Sequence, residues 1–167
     1  LGMAEGVECV MFYMLHDSVW HNKGGVDQND SEYHYGMLLR DGAVKPSVMA
    51  YCTAAEALDH AKFVKWLKLP GNKNKGLLFK SPTGQTAILW NRSEGYIQTR
   101  PKDKKKYASP EPWINRWKKS VELTVPVKGD KLTVIDCIGR RKVIQAENGK
   151  AKVMLTGAPL ILKNVAY

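Results

Sequence analysis

Apolar residues along this chain follow two different rhythms. From Gly6 to Leu15 nearly every position is apolar (Gly-Val-Glu-Cys-Val-Met-Phe-Tyr-Met-Leu), and the run is closed by His16-Asp17. Its length and its β-branched and aromatic content predict a strand buried on both faces, as in a parallel sheet. Ser18 to Tyr35 is rich in Asn, Asp, Gly and His and has no period. It predicts a long loop, of the kind that is functional or disordered. Gly36-Met37-Leu38-Leu39-Arg40-Asp41-Gly42 is a second apolar run, ending in an Asp-Gly turn. Over Ser47–Leu58, Val48, Tyr51, Cys52, Ala55 and Leu58 recur at helical spacing, and Pro46 suits the first turn. Strand, loop and helix in that order read as one βα unit.

From Lys62 onward the rhythm shortens to strands with turn punctuation. Strands are predicted near 62–69, 76–80, 86–91, 95–100, 120–127, 131–136, 141–146, 150–155 and 159–164. Pro70-Gly71, Pro82-Thr83-Gly84, Lys128-Gly129-Asp130, Gly139 and Asn148-Gly149 separate them. Asn148-Gly149 between Val143-Ile144-Gln145 and Lys152-Val153-Met154 is a two-residue hairpin signal. Strands at this spacing predict an antiparallel, jelly-roll-like β-sandwich in a mainly β chain. Residues 101–119 break the rhythm: Pro110 and Pro112 exclude a central strand there, so an insertion or a loop over a sheet face is expected. The division is therefore 1–61, a strand–loop–helix unit, and 62–167, a sandwich.

Charge divides at the same place. Residues 1–61 carry Lys23, Arg40 and Lys45 against nine acids, a net −6, while the remaining 23 basic and 7 acidic residues make 62–167 net +16. Opposite signs suggest two structural units that attract each other, and a basic half that could draw an anionic polymer. The hydrophobic share of 44% suits a packed protein and argues against disorder. No apolar run approaches the roughly 20 residues that span a bilayer. The chain opens on Leu1-Gly2-Met3 without the features of a signal peptide. That start reads as a cut point in a longer protein, so compartment stays unknown. Cys9, Cys52 and Cys137 have no paired spacing and each lies in an apolar run, which predicts buried free thiols.

Several phrases resemble the end of the (β/α)8 barrel in retaining glycoside hydrolases of the large clan that includes xylosidase-like and cellulase-like families. They are Val7–Leu15 with His16-Asp17, then Tyr35-Gly36-Met37-Leu38-Leu39-Arg40-Asp41-Gly42, then Lys45-Pro46-Ser47 and the helix to Leu58. The small β-sandwich that commonly packs against such barrels has counterparts in Thr86–Trp90, Leu132–Gly139 and Val153–Ile161. The resemblance implies that the two glutamates of the reaction, at the ends of the fourth and seventh barrel strands, precede residue 1. That chemistry needs two carboxyl groups about 5–5.5 Å apart. Glu5 and Glu8 lie beside the presumed eighth strand, so this chain alone is not expected to hydrolyse a glycoside. No cofactor is implied. The implied partners are a polysaccharide or oligosaccharide and the N-terminal catalytic barrel. Residues 1–60, torn from their barrel, would be disordered, repacked on the sandwich, or paired between two chains as a homo-oligomer.

Candidate binding residues follow from chemistry. Trp20 and His21 come just after the presumed eighth strand, on the face where barrel enzymes build their sites, and a tryptophan ring can stack on the apolar face of a sugar. Trp113 and Trp117, with Tyr107, sit in a proline-broken segment beside Arg116, Lys118 and Lys119. Planar aromatics suit a carbohydrate surface, and the basic groups could pair with uronate or sulfate. The alternative is that both tryptophans cover the sandwich core or seat it on the barrel. Trp90 is expected in the core and Trp66 against the helix. Asp27, Asn29, Asp30 and Glu32 lack the order of a calcium loop, and His16, His21, His34 and His60 lack metal spacing, so no metal site is predicted. In the resemblance His16 would be a relic of the active site. The Lys102–Lys106 run has the charge of a nucleic-acid binder but no recognised module accompanies it, and it reads as a solvated loop. Three functions remain: a carbohydrate-binding sandwich, a structural buttress for the barrel, and an anion-binding module.

Overall fold

The computed structural model describes residues 1–17, 34–94 and 117–167. A 3-10 turn, Gly2–Glu5, precedes one α-helix, α1 (Pro46–Ala57), and eight strands follow among the described residues. They are β1 (Lys62–Trp66), β2 (Asn74–Ser81), β3 (Gly84–Asn91), β4 (Val121–Pro126), β5 (Lys131–Ile135), β6 (Arg141–Gln145), β7 (Lys150–Leu155) and β8 (Leu160–Lys163). A large sheet runs β1-β2-β3-β8-β5-β6 and a small one pairs β4 with β7, every pairing antiparallel. The expected β-sandwich is present. The predicted strand at 95–100 lies outside the described residues, as do positions 101–116 of the insertion predicted over 101–119 and positions 18–33 of the loop predicted over 18–35.

Side-chain alternation explains which sheet is which. In β7 the buried residues are Ala151, Val153 and Leu155, while Lys150, Lys152 and Met154 face out; β4 buries Leu123 and Val125 in the same way. One face of that pair meets the core and the other meets water. Leu77, Leu78 and Phe79 of β2 are all buried, which requires cover on both faces. The inner face gives Leu78, Ala87, Leu89, Leu132, Val134 and Leu162 to a core shared with the small sheet. On the outer face Ala57 packs with Ile135 and Ile161, and Ala61 with Leu77, Phe79 and Leu58.

The Asn148-Gly149 turn forms as predicted, with positive φ at both residues and Glu147 bridged to Lys150. The expected ladder does not grow from it. β6 pairs with β5 and β7 with β4, so the chain changes sheet at this turn. Turn chemistry fixes a local reversal, whereas the partners are chosen by where Val153 and Leu155 can be buried.

The buried strand expected over 6–15 is absent. Val10, Met11, Phe12, Tyr13 and Leu15 are exposed; residues 14–17 bond through the backbone to 37–38, and the Phe12 ring meets Tyr51 of α1 edge-on at 5.1 Å. A strand buried on both faces needs cover on each, and the exposed side chains of this run lack it. The three cysteines are free as expected but not buried: Cys9 and Cys52 are exposed and Cys137 is half-buried. The first sandwich strand ends at Trp66 rather than residue 69.

Candidate functional site

Two regions carry the residues singled out by the sequence. The first is a clasp around Asp17. Residues 14–17 run parallel to 37–38: Met37 and Leu38 donate their amides to the carbonyls of Met14 and Leu15, and Asp17 donates to Leu38. The chain then turns at Asp41-Gly42, where Gly42 has φ 83° and Asp41 caps the amide of Ala43 at 2.9 Å. That turn brings Lys45 back beside Met37, to which its amide donates. The Lys45 ammonium donates to Asp17 Oδ1 at 2.5 Å and to the carbonyl of His34 at 3.0 Å, and the Gly36 amide reaches the same Asp17 oxygen at 2.9 Å. Gly36 must be glycine here, because a Cβ would fall 2.1 Å from the backbone of His16 and Asp17.

Asp17 is 1% exposed, the most buried charged residue among those described. Burial presses its carboxyl upward, but the Lys45 hydrogen bond, the Gly36 amide and the Lys45 charge outweigh that and hold it below the ordinary carboxylate value. His16 points its ring back to the carbonyl of Asp17 at 3.1 Å and is exposed. Trp20 and His21, beyond the clasp, lie outside the described residues.

The second region is the entry to β4. Of the sandwich residues proposed to meet carbohydrate, Tyr107, Trp113 and Arg116 lie outside the described residues and Trp117 lies within them. The Trp117 ring is half-buried and rests on Gly157, in the turn between β7 and β8. A Cβ at Gly157 would stand 2.4–2.6 Å from ring atoms Cε3, Cζ3 and Cδ2. Two residues on, the Lys119 amide donates to the Glu94 carboxylate at 2.9 Å, tying the start of this segment to the end of β3.

From the clasp, α1 reaches the large sheet. Its Thr53 lies against Gly139 in the β5–β6 turn, Ala57 sits on Ile135, and Glu56 pairs with Arg141 of β6. The Arg141 hydrogen bond and charge hold the Glu56 carboxyl below its ordinary value. This exposed pair joins an acid before residue 61 to a base after it.

Against these positions, a search of solved structures finds a likeness to a family 39 glycoside hydrolase from the gut symbiont Bacteroides cellulosilyticus WH2. The fold is shared. The TM-score is 0.56 at 21% identity over 87% of this chain. The chain spans only 25% of the length of that protein. Residues 62–167 make up less than two-thirds of the sequence, so a match over 87% also takes in residues before β1. No family model matches the chain, and no curated protein does.

Two arrangements were missed by sequence reasoning. The Asp17–Lys45 pair joins residues 28 apart, and its only trace was the scarcity of basic residues before position 61. Trp66 was expected at the helix and Trp90 in the core; Trp90 does pack, half-buried, against Ala61, Leu77 and Phe79, but its ring also meets that of Trp66 at 6.1 Å with planes tilted 60°, and Trp66 is 43% exposed. The register that pairs Trp66 with Leu77 puts both rings on one face, which periodicity alone does not reveal. Among the described residues no group of three or more His, Cys, Asp or Glu could hold a metal ion, and no helix is long and apolar enough to cross a membrane.

Proposed function

We propose that the chain is the C-terminal part of a glycoside hydrolase, with residues 1–61 the last βα unit of its barrel and 62–167 a non-catalytic sandwich that binds carbohydrate. The observation that carries this reading is a fold likeness running from the sandwich back into the residues before β1. The exposed run from Val10 to Leu15, with Met11 91% and Tyr13 78% exposed, supports it. Such a surface is what the missing neighbours of a barrel strand would cover. In this reading the catalytic barrel is the partner, hydrolysis needs carboxylates that this chain does not supply, and Trp113, Trp117, Tyr107 and Arg116 meet the sugar, with Trp20 on the barrel side.

A second reading, a structural buttress that binds no glycan, is favoured by the Trp117 ring resting on Gly157. Affinity electrophoresis in gels containing soluble glycans separates them. Retardation by neutral glucans or xylans, lost in Trp113→Ala, supports the carbohydrate-binding reading. No retardation by any glycan favours the buttress. Binding only to anionic polymers, falling steeply with salt, would replace both with an anion-binding module.

A further inference from the structure

We propose that Lys45 is a positioning residue: it fixes the two points where segment 18–33 leaves and rejoins the described fold, and α1 ties those points to the sandwich. Asp17 and His34 are the residues flanking that segment, and one ammonium group bonds both, at 2.5 Å and 3.0 Å. The same carboxylate takes the Gly36 amide. Three stretches of chain, 14–17, 34–38 and the start of α1, thus meet at one ion pair.

Directionality is what this pair supplies. The Asp17 side chain is 2% exposed and that of Lys45 17%. A buried ion pair adds little net stability over apolar residues of the same volume, yet removing one partner leaves a buried charge. It therefore selects one arrangement more than it strengthens the fold. Gly36 lets the two stretches approach this closely, since a Cβ there would strike the backbone of His16 and Asp17, and the backbone bonds from Met37 and Leu38 to Met14 and Leu15 fix their register.

Lys45 also stands immediately before α1, which opens on Pro46. Twelve helical residues rise about 18 Å. The far end is held by Thr53 against Gly139, by Ala57 on Ile135 and Ile161, and by Glu56 with Arg141. A stiff rod joins the clasp to β5, β6 and β8. The sandwich then does more than pack against its neighbours, for it sets where segment 18–33 begins and ends. That this segment meets a glycan through Trp20 rests on the function proposed above; the clasp does not.

Amide hydrogen exchange on the full chain tests it. Lys45→Met is expected to raise exchange at Asp17, Gly36 and Leu38 by about tenfold or more, while amides of β3 and β8 stay within about twofold of the parent. Lys45→Arg, which keeps the charge and a donor, restores most of the protection. Arg141→Glu, at the opposite end of α1, raises the same clasp amides. Unchanged clasp amides in Lys45→Met, or an equal rise throughout β3 and β8, overturns the positioning role. No effect of Arg141→Glu overturns the link to the sandwich. Loss of glycan retention in Trp20→Ala is read separately, so its absence refutes the Trp20 contact and leaves the clasp result standing.

Discussion

Replacing Gly157 by alanine drives a methyl group into the face of Trp117. The added Cβ would lie 2.4–2.6 Å from three ring atoms, where ordinary contact is 3.4–4 Å, so the ring must retreat by about 1 Å. A retreat of that size forfeits roughly a quarter to a half of each dispersion contact the ring makes on that side. Overpacking of this kind costs about 1–3 kcal/mol, and a half-buried ring belongs in the middle, at about 2 kcal/mol. With a urea slope of about 1–3 kcal/mol per molar, the unfolding midpoint falls by about 1 M without a change of slope. The double-mutant cycle isolates the contact. In a Trp117→Ala background, Gly157→Ala should cost close to nothing, since the atoms it strikes are gone. If Gly157→Ala is neutral in the parent, or equally costly in both backgrounds, Trp117 does not rest on this turn.

Three further outcomes follow from the geometry. Asp17 is held below the ordinary carboxylate value of about 3.9, so the folded state binds its proton less readily than the unfolded chain. The stability this gives is fully present above that value and is lost as pH falls through the lower folded value; urea midpoints of Asp17→Asn should lack that share of the acid decline, and identical acid limbs would refute the pairing. Leu162→Ala removes a side chain with no exposed surface from the core between the sheets, and should cost about 2–5 kcal/mol in the same unfolding assay. Gly36→Ala should open the clasp, seen as faster exchange at Leu38, with the β2–β3 ladder unaffected.

The sandwich was legible because its strands are short, alternate in polarity and are separated by glycine and proline. Leu123-Thr124-Val125 and Val153-Met154-Leu155 state in sequence the face they bury. Asn148-Gly149 stated its own turn but not the change of sheet, since that depends on which distant strands are free to receive β7. Val7–Leu15 misled for the opposite reason. Its composition describes a strand among neighbours, and the described residues supply a parallel stretch of backbone only to its last few positions. The Asp17–Lys45 pair and the Trp66–Trp90 contact join residues 28 and 24 positions apart through turns and registers that no local pattern encodes.

The strand order of the large sheet bears on how the chain reaches its fold. β1-β2-β3 is one continuous meander and β5-β6 one hairpin, and β8 alone joins them, laid between β3 and β5. It is the last of the eight strands to be synthesised. Until it emerges, two half-sheets exist with facing open edges, and β3 and β5 each present unpaired amides and carbonyls. Closure waits on pairings such as Ile88 with Ile161, which are 73 positions apart, so folding should be slow and should wait until β8 has been made. A nascent chain stalled before Leu160 would present two sheet edges ready to pair with another copy.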